Sequence, residues 1–116
     1  VNNKPKYHLF KNTSYAISGL IHALKTESSF RLELFFALFI VAAIIFLEIE
    51  LVYKLVLLVT GILVLIVELI NSAIENAVDL VTLKRHPLAK TSKDLGSSAV
   101  MFAIVLHITC WIVILL

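Results

Sequence analysis

Three uncharged apolar runs constrain this chain more than any other feature. They are LFFALFIVAAIIFL at 34–47, LVLLVTGILVLIV at 55–67 and LGSSAVMFAIVLHITCWIVILL at 95–116. A helix that crosses a bilayer needs roughly 20 mostly apolar residues. The third run meets that length alone. The first two reach it by taking in Arg31 and Glu33, or Lys54 and Glu68, near their ends. The chain is 60% hydrophobic and only 16% charged, where a soluble domain carries about a quarter charged residues. The reading is an all-α membrane protein with three transmembrane helices at 29–48, 51–84 and 92–116. Residues 1–116 form a single unit, with no repeat and no second domain.

Residues 7–26 precede the first span. Phe10, Ile17, Leu20, Ile21 and Leu24 recur at helical spacing, with Lys11, Ser18, His22 and Lys25 on the other side. This is the pattern of an amphipathic helix lying in the membrane interface; an amphipathic helix packed on the other helices would show the same pattern. The start of the chain lacks the apolar core and small-residue cleavage site of a signal peptide, so none is expected there. The lone Cys110 excludes an intrachain disulfide and a multi-cysteine metal site.

Charge placement predicts topology. Lys4, Lys6, Lys11, Lys25 and Arg31 precede the first span, and Lys84, Arg85, Lys90 and Lys93 lie between the second and third. The connection near Glu48 and Glu50 has only Lys54 close by. Basic loops stay inside, which puts the N-terminus and the 84–93 loop in the cytoplasm and the C-terminus outside.

The second span then carries an anomaly. Glu68, Asn71, Glu75 and Asp79 are spaced three, four and four apart, and so share one face of a helix. A helix over 51–84 is about 50 Å long, against a hydrocarbon core of about 30 Å. Glu68 falls at the inner edge of the hydrocarbon, and the other three continue into the headgroup layer and cytoplasm. A charge at mid-span costs about 2.5–3.5 kcal/mol on insertion scales, so a row of acids at that edge points to use. Glu27, Arg31, Glu33, Lys93 and Asp94 reach the same depth, and Thr91 or Ser92 is placed to cap the third span.

Clustered carboxylates suit magnesium, which keeps an oxygen shell shared with water and phosphate. A nearby lysine suits a nucleotide phosphate, and a carboxylate at the hydrocarbon edge suits a general base for a lipid hydroxyl. Together these describe phosphoryl transfer from Mg·ATP to a membrane lipid. The only glycines are Gly19, Gly61 and Gly96, so no glycine-rich phosphate loop exists. Glu75 and Asp79 also fit a simply solvated helix end, and Lys84, Arg85, Lys90 and Lys93 fit topology determinants that bind anionic headgroups. His107 fits an interhelical hydrogen bond, and Trp111 and Tyr53 fit outer aromatic belts. A small oligomeric transporter or channel would need polar groups at mid-bilayer on more than one helix; the middle of each span is almost bare apart from Thr60 and Gly61. A structural subunit with a solvated helix extension would leave the matched depth of Glu27, Glu68 and Lys93 without a reason.

The stretch Glu68-Leu-Ile-Asn71-Ser-Ala-Ile-Glu75-Asn-Ala-Val-Asp79, with His86-Pro-Leu-Ala-Lys and Lys93-Asp94-Leu-Gly96-Ser97, closely resembles the prokaryotic diacylglycerol kinase family. The family pattern E-[IL]-[IL]-N-[ST]-A-I-E is specific, and the likeness covers essentially the whole chain. The resemblance implies a homotrimer in the bacterial cytoplasmic (inner) membrane, with sites at subunit boundaries and no nucleic-acid partner. It implies Glu68 as catalytic base and Glu27 and Glu75 as ligands of the Mg2+ that accompanies ATP. It places Tyr15, Asn71, Asp79, His86, Lys93 and Asp94 at or near the nucleotide, and Arg31, Glu33 and Ser97 on the lipid-access side. His8 stands where some members have an arginine that helps hold ATP or lipid, so Lys11 or Lys6 would have to substitute. The implied substrate is diacylglycerol, with undecaprenol as the alternative.

Overall fold

The computed structural model describes residues 8–116. Four helices follow in order: α1 (Leu9–Thr26), α2 (Ser28–Phe46), α3 (Leu51–Val81) and α4 (Pro87–Leu115). No strand occurs among the described residues. Lys4 and Lys6 lie outside the described residues, as does the first residue of the 7–26 segment. The last three helices are each long and apolar enough to cross a membrane. They also expose large apolar side chains such as Phe35, Phe39, Val59, Phe102 and Val113, a surface that suits hydrocarbon rather than water.

Helix ends are set by local hydrogen bonding, and two differ from the expectation. The second span stops at Val81 rather than continuing to residue 84. Thr82 turns extended, and its Oγ1 accepts the N–H of Lys84 at 3.1 Å. That local bond competes with another helical turn. The third span begins at Pro87, five residues before 92, and neither Thr91 nor Ser92 caps it. Pro87 lacks an N–H and has its φ preset for a first helical position. His86 Nδ1 accepts the N–H of Leu88 at 3.1 Å and serves as the cap. Thr91 lies inside the helix and donates to the Pro87 carbonyl.

At the other junctions basic side chains hold the carbonyl ends of helices. Arg31 Nη1 donates to the carbonyls of Leu24 and Lys25, at 3.0 and 3.1 Å. A cation there satisfies orphan acceptors and complements the helix dipole. It pins the end of α1 to the start of α2 and so fixes Glu27, the extended residue between them. Lys54 does the same for α2, donating to the Ile45 carbonyl at 3.1 Å. Within α1 only Ala23 is buried, and Phe10, Ile17, Leu20 and Ile21 are exposed. The apolar side of α1 is therefore not spent on packing within the chain.

The main packing seam lies between α3 and α4. The buried residues of α3 are Leu57, Thr60, Val64, Glu68 and Asn71, spaced three, four, four and three apart. Those of α4 are Gly96, Ala103 and His107. Small residues let the backbones approach, as in membrane helix pairs generally. One polar bridge crosses the seam: Thr60 Oγ1 and His107 Nδ1 are 2.8 Å apart. Such bonds contribute about 0.6 kcal/mol on average, up to about 1.7. The mid-span polar groups therefore sit on two helices, not on α3 alone, but they are engaged with each other. Trp111, placed in an outer aromatic belt from its sequence position, directs its N–H inward to His107 Nε2 at 2.9 Å.

Candidate lipid-kinase site

The polar residues that continue the α3 seam toward its C-terminal end make the candidate site. Glu68 and Asn71 are both buried, 7% and 8% exposed, which confirms that they share the inward face. Asn71 Nδ2 donates to Glu75 Oε1 at 3.2 Å, one turn further on. Its Oδ1 is buried without a hydrogen-bond partner among the described residues. A buried acceptor with no donor costs about 1–3 kcal/mol, so a group that brings a donor there gains stabilisation. Opposite stands Gly96 of α4. A Cβ at Gly96 would overlap Asn71 Oδ1 and meet Asn71 Cγ at 3.3 Å. Only glycine leaves room for this side chain.

Four carboxylates gather around that point. Glu68 lies within Coulombic reach of Glu75 and Glu27, and Glu33 within reach of Glu68. Like charges held together in a poorly solvated place repel one another, and a cation or a proton relieves the repulsion. Among the described residues no three or more His, Cys, Asp or Glu side chains are arranged to hold a metal ion by themselves. The donors are hard carboxylate oxygens in an incomplete set. That set fits a magnesium ion whose remaining shell is phosphate and water.

Lys93 extends the cluster from α4. Its Nζ lies 2.7 Å from Asp79 Oδ1, and Glu75 is also within Coulombic reach. Both partners are roughly half exposed, so the pair adds little stability; its consequence is to tie the ammonium to the site's outer end. Beyond it a cavity of about 770 Å³ opens at the α3–α4 connection. Asp79, His86 and Lys93 line it, together with Lys84, Arg85 and Lys90. The last three looked like topology determinants in the sequence, where nothing signals that the turn folds them around one basin.

A second cavity, about 540 Å³, lies between α2, α3 and α4 and is almost wholly apolar. Glu33 is its only acidic lining residue, and Gly61 and His107 also line it. Glu33 Oε2 is buried with no hydrogen-bond partner among the described residues. Glu33 thus faces the apolar groove, and Glu68 lies within its Coulombic reach.

Not every expected residue joins the cluster within one chain. Tyr15 and His8 are exposed on and just before α1, with no hydrogen bond to the acids among the described residues. Lys11 is likewise exposed on α1. Asp94 pairs with Lys90 at 2.6 Å on the exposed side of α4 and does not line the basin. Ser97 is exposed beside Gly96, and Arg31 is engaged with the carbonyls of α1.

The family model for prokaryotic diacylglycerol kinase matches residues 14–115. The chain belongs to that family. Diacylglycerol kinase of Pseudomonas aeruginosa is 36% identical over 104 residues, covering 90% of this chain and 85% of the relative. The Haemophilus influenzae enzyme is 36% identical over 105 residues, covering 90% and 88%. The Escherichia coli K12 enzyme is 35% identical over 107 residues, covering 92% and 88%. Membership in the prokaryotic diacylglycerol kinases makes this multi-pass membrane protein a lipid kinase, and the acids on α3 are where its chemistry is to be sought.

Proposed function

We propose that this protein transfers the γ-phosphoryl group of ATP to the free hydroxyl of diacylglycerol, giving phosphatidic acid and ADP. The observation that carries the reading is a row of charged groups at one end of the bundle, each within Coulombic reach of the next. It runs from Glu33 in the apolar groove through Glu68 and Glu75 to Lys93 and the cationic basin. A lipid lies in hydrocarbon and a nucleotide in water, and Glu68 is the buried carboxylate between those two environments.

In the proposed reaction Glu68 accepts the proton of the lipid hydroxyl as its oxygen attacks the γ-phosphorus. The bond from that phosphorus to the β,γ-bridging oxygen breaks, and ADP leaves. Lys93, with Lys84, Arg85 and Lys90 around the basin, offsets phosphate charge. Asn71 holds Glu75 by its amide N–H. Glu27 and Glu75 would hold magnesium, which neutralises the phosphate oxygens when bound. The absence of a glycine-rich loop leaves helix faces and the α3–α4 turn to position the nucleotide.

The proposed setting is the bacterial inner membrane, with the basin and α1 on the cytoplasmic side and the C-terminus outside. The proposed assembly is a homotrimer; the exposed apolar sides of α1 and α2 offer surface for it, and Tyr15 and His8 are free to serve at subunit boundaries.

The deciding assay gives the purified protein Mg·ATP with either diacylglycerol or undecaprenol in the same bilayer mimetic. Phosphatidic acid should form well above the undecaprenyl phosphate rate. The reverse order of rates would move the assignment to undecaprenol. Removing a metal ligand should show in the magnesium dependence: Glu75→Ala is expected to raise the magnesium needed for half-maximal rate about tenfold, or to abolish turnover. Undiminished activity of that variant at low magnesium would remove Glu75 from the ligand set.

A further inference from the structure

The site is not the only polar group on the α3–α4 seam. Further along the same seam stands the Thr60–His107–Trp111 group, and its hydrogen bonds have one consistent assignment. Trp111 Nε1–H can only donate, so His107 Nε2 accepts it and carries no proton. The neutral ring then bears its proton on Nδ1 and donates to Thr60 Oγ1. The Thr60 hydroxyl in turn donates to the carbonyl of Val56 at 2.8 Å. The hydroxyl both accepts from His107 and donates, with the carbonyl of Leu57 also 3.2 Å away, and the direction of the chain is set by its tryptophan end.

This group and the site are built alike, in opposite senses. His107 of α4 rests on Gly61 of α3, where a Cβ would lie 3.2 Å from His107 Cε1. Asn71 of α3 rests on Gly96 of α4. Ten residues separate Gly61 from Asn71 and eleven separate His107 from Gly96, about 15 and 16 Å of helix. Two such seats on an antiparallel pair fix both the slide and the rotation of one helix on the other. One seat alone fixes neither.

We propose that His107, clamped by Thr60 and Trp111, is a positioning residue for phosphoryl transfer: it sets the register that seats Asn71 on Gly96 and so brings Glu75 and Asp79 to face Lys93. The clamp touches no reactant; it acts through the helix pair. The proposal rests on the lipid-kinase reading for its effect on turnover, but the register it sets is a property of the fold.

The test uses the full chain in a bilayer mimetic, with His107→Leu, Thr60→Val and Thr60→Ser. The chain has three glycines, Gly19, Gly61 and Gly96, so glycine-selective 15N labelling yields three backbone amide resonances. His107→Leu and Thr60→Val should move Gly61, and should also move Gly96 at the far seat, while Gly19 stays. Trp111 is the only tryptophan, and its emission should report loss of the His107 bond in His107→Leu. Turnover should fall about tenfold with KM for ATP and lipid nearly unchanged, because geometry rather than binding is lost. Thr60→Ser keeps the hydroxyl and should restore both the Gly96 resonance and kcat. If His107→Leu fails to fold, Thr60→Val carries the test, since it leaves the histidine packed on Gly61. A Gly96 resonance unmoved by Thr60→Val, or moved with kcat unchanged, overturns the proposal. A wild-type protein that phosphorylates no lipid would sink the lipid-kinase reading instead, and the Gly96 resonance would still decide whether the two seats are coupled.

Discussion

Glu68→Gln is expected to abolish nearly all ATP-dependent lipid phosphorylation while leaving the helices assembled. General-base catalysis contributes about 10²–10⁴-fold, and the amide keeps the size and shape of the carboxylate but cannot take the hydroxyl proton. The side chain is 7% exposed on the packed face of α3, so size matters, and glutamine rather than alanine is the clean replacement. The loss should appear in kcat, with KM for the nucleotide close to unchanged, because the cationic basin lies further along the row. The neutral amide also removes one member of a carboxylate cluster, so stability should hold or rise slightly. Normal turnover by the folded variant would remove Glu68 as the base.

The second large effect comes from a residue with no side chain. Gly96→Ala places a methyl group where Asn71 Oδ1 now sits. Asn71 can make room only by turning away, and its 3.2 Å bond to Glu75 goes with that movement. Misplacement of a catalytic group by about 1 Å can cost about 100-fold in rate, so turnover should fall by one to two orders of magnitude. Circular dichroism should show helicity close to wild type, since alanine is a better helix former than glycine. A double-mutant cycle isolates the cause. In an Asn71→Ala background the methyl group has space, and Gly96→Ala should cost little more. Full additivity of the two losses would show that Gly96 acts by another route.

The contrast between Glu68 and Gly96 shows where the sequence is readable. Spans are legible because insertion into hydrocarbon is a property of a local segment: three apolar runs suffice, whatever their partners. The polar face of α3 is legible because helical periodicity turns spacing into adjacency, which puts Glu68 and Asn71 on one side whatever packs against them. The helix ends were less legible. Val81 and Pro87, rather than 84 and 92, bound the turn, because a threonine hydroxyl and a histidine ring nitrogen compete locally for backbone N–H groups. Lys84, Arg85 and Lys90 read equally well as topology signals or as phosphate partners, since a charge in a loop has no periodicity to say which way it faces.

By itself the sequence determined that this chain crosses a membrane three times, carries an acidic face at one end of its second span, and belongs with the lipid kinases through its Glu-x-x-Asn-x-x-x-Glu stretch. Only the tertiary structure decided that Asn71 seats on Gly96, that Arg31 pins Glu27 beside the acids, and that His107 closes with Thr60 and Trp111. Apart from His107 with Trp111, four residues apart on α4, those pairings join residues from different helices. Their energies depend on how one helix slides and turns against another, and no local pattern along the chain encodes that register.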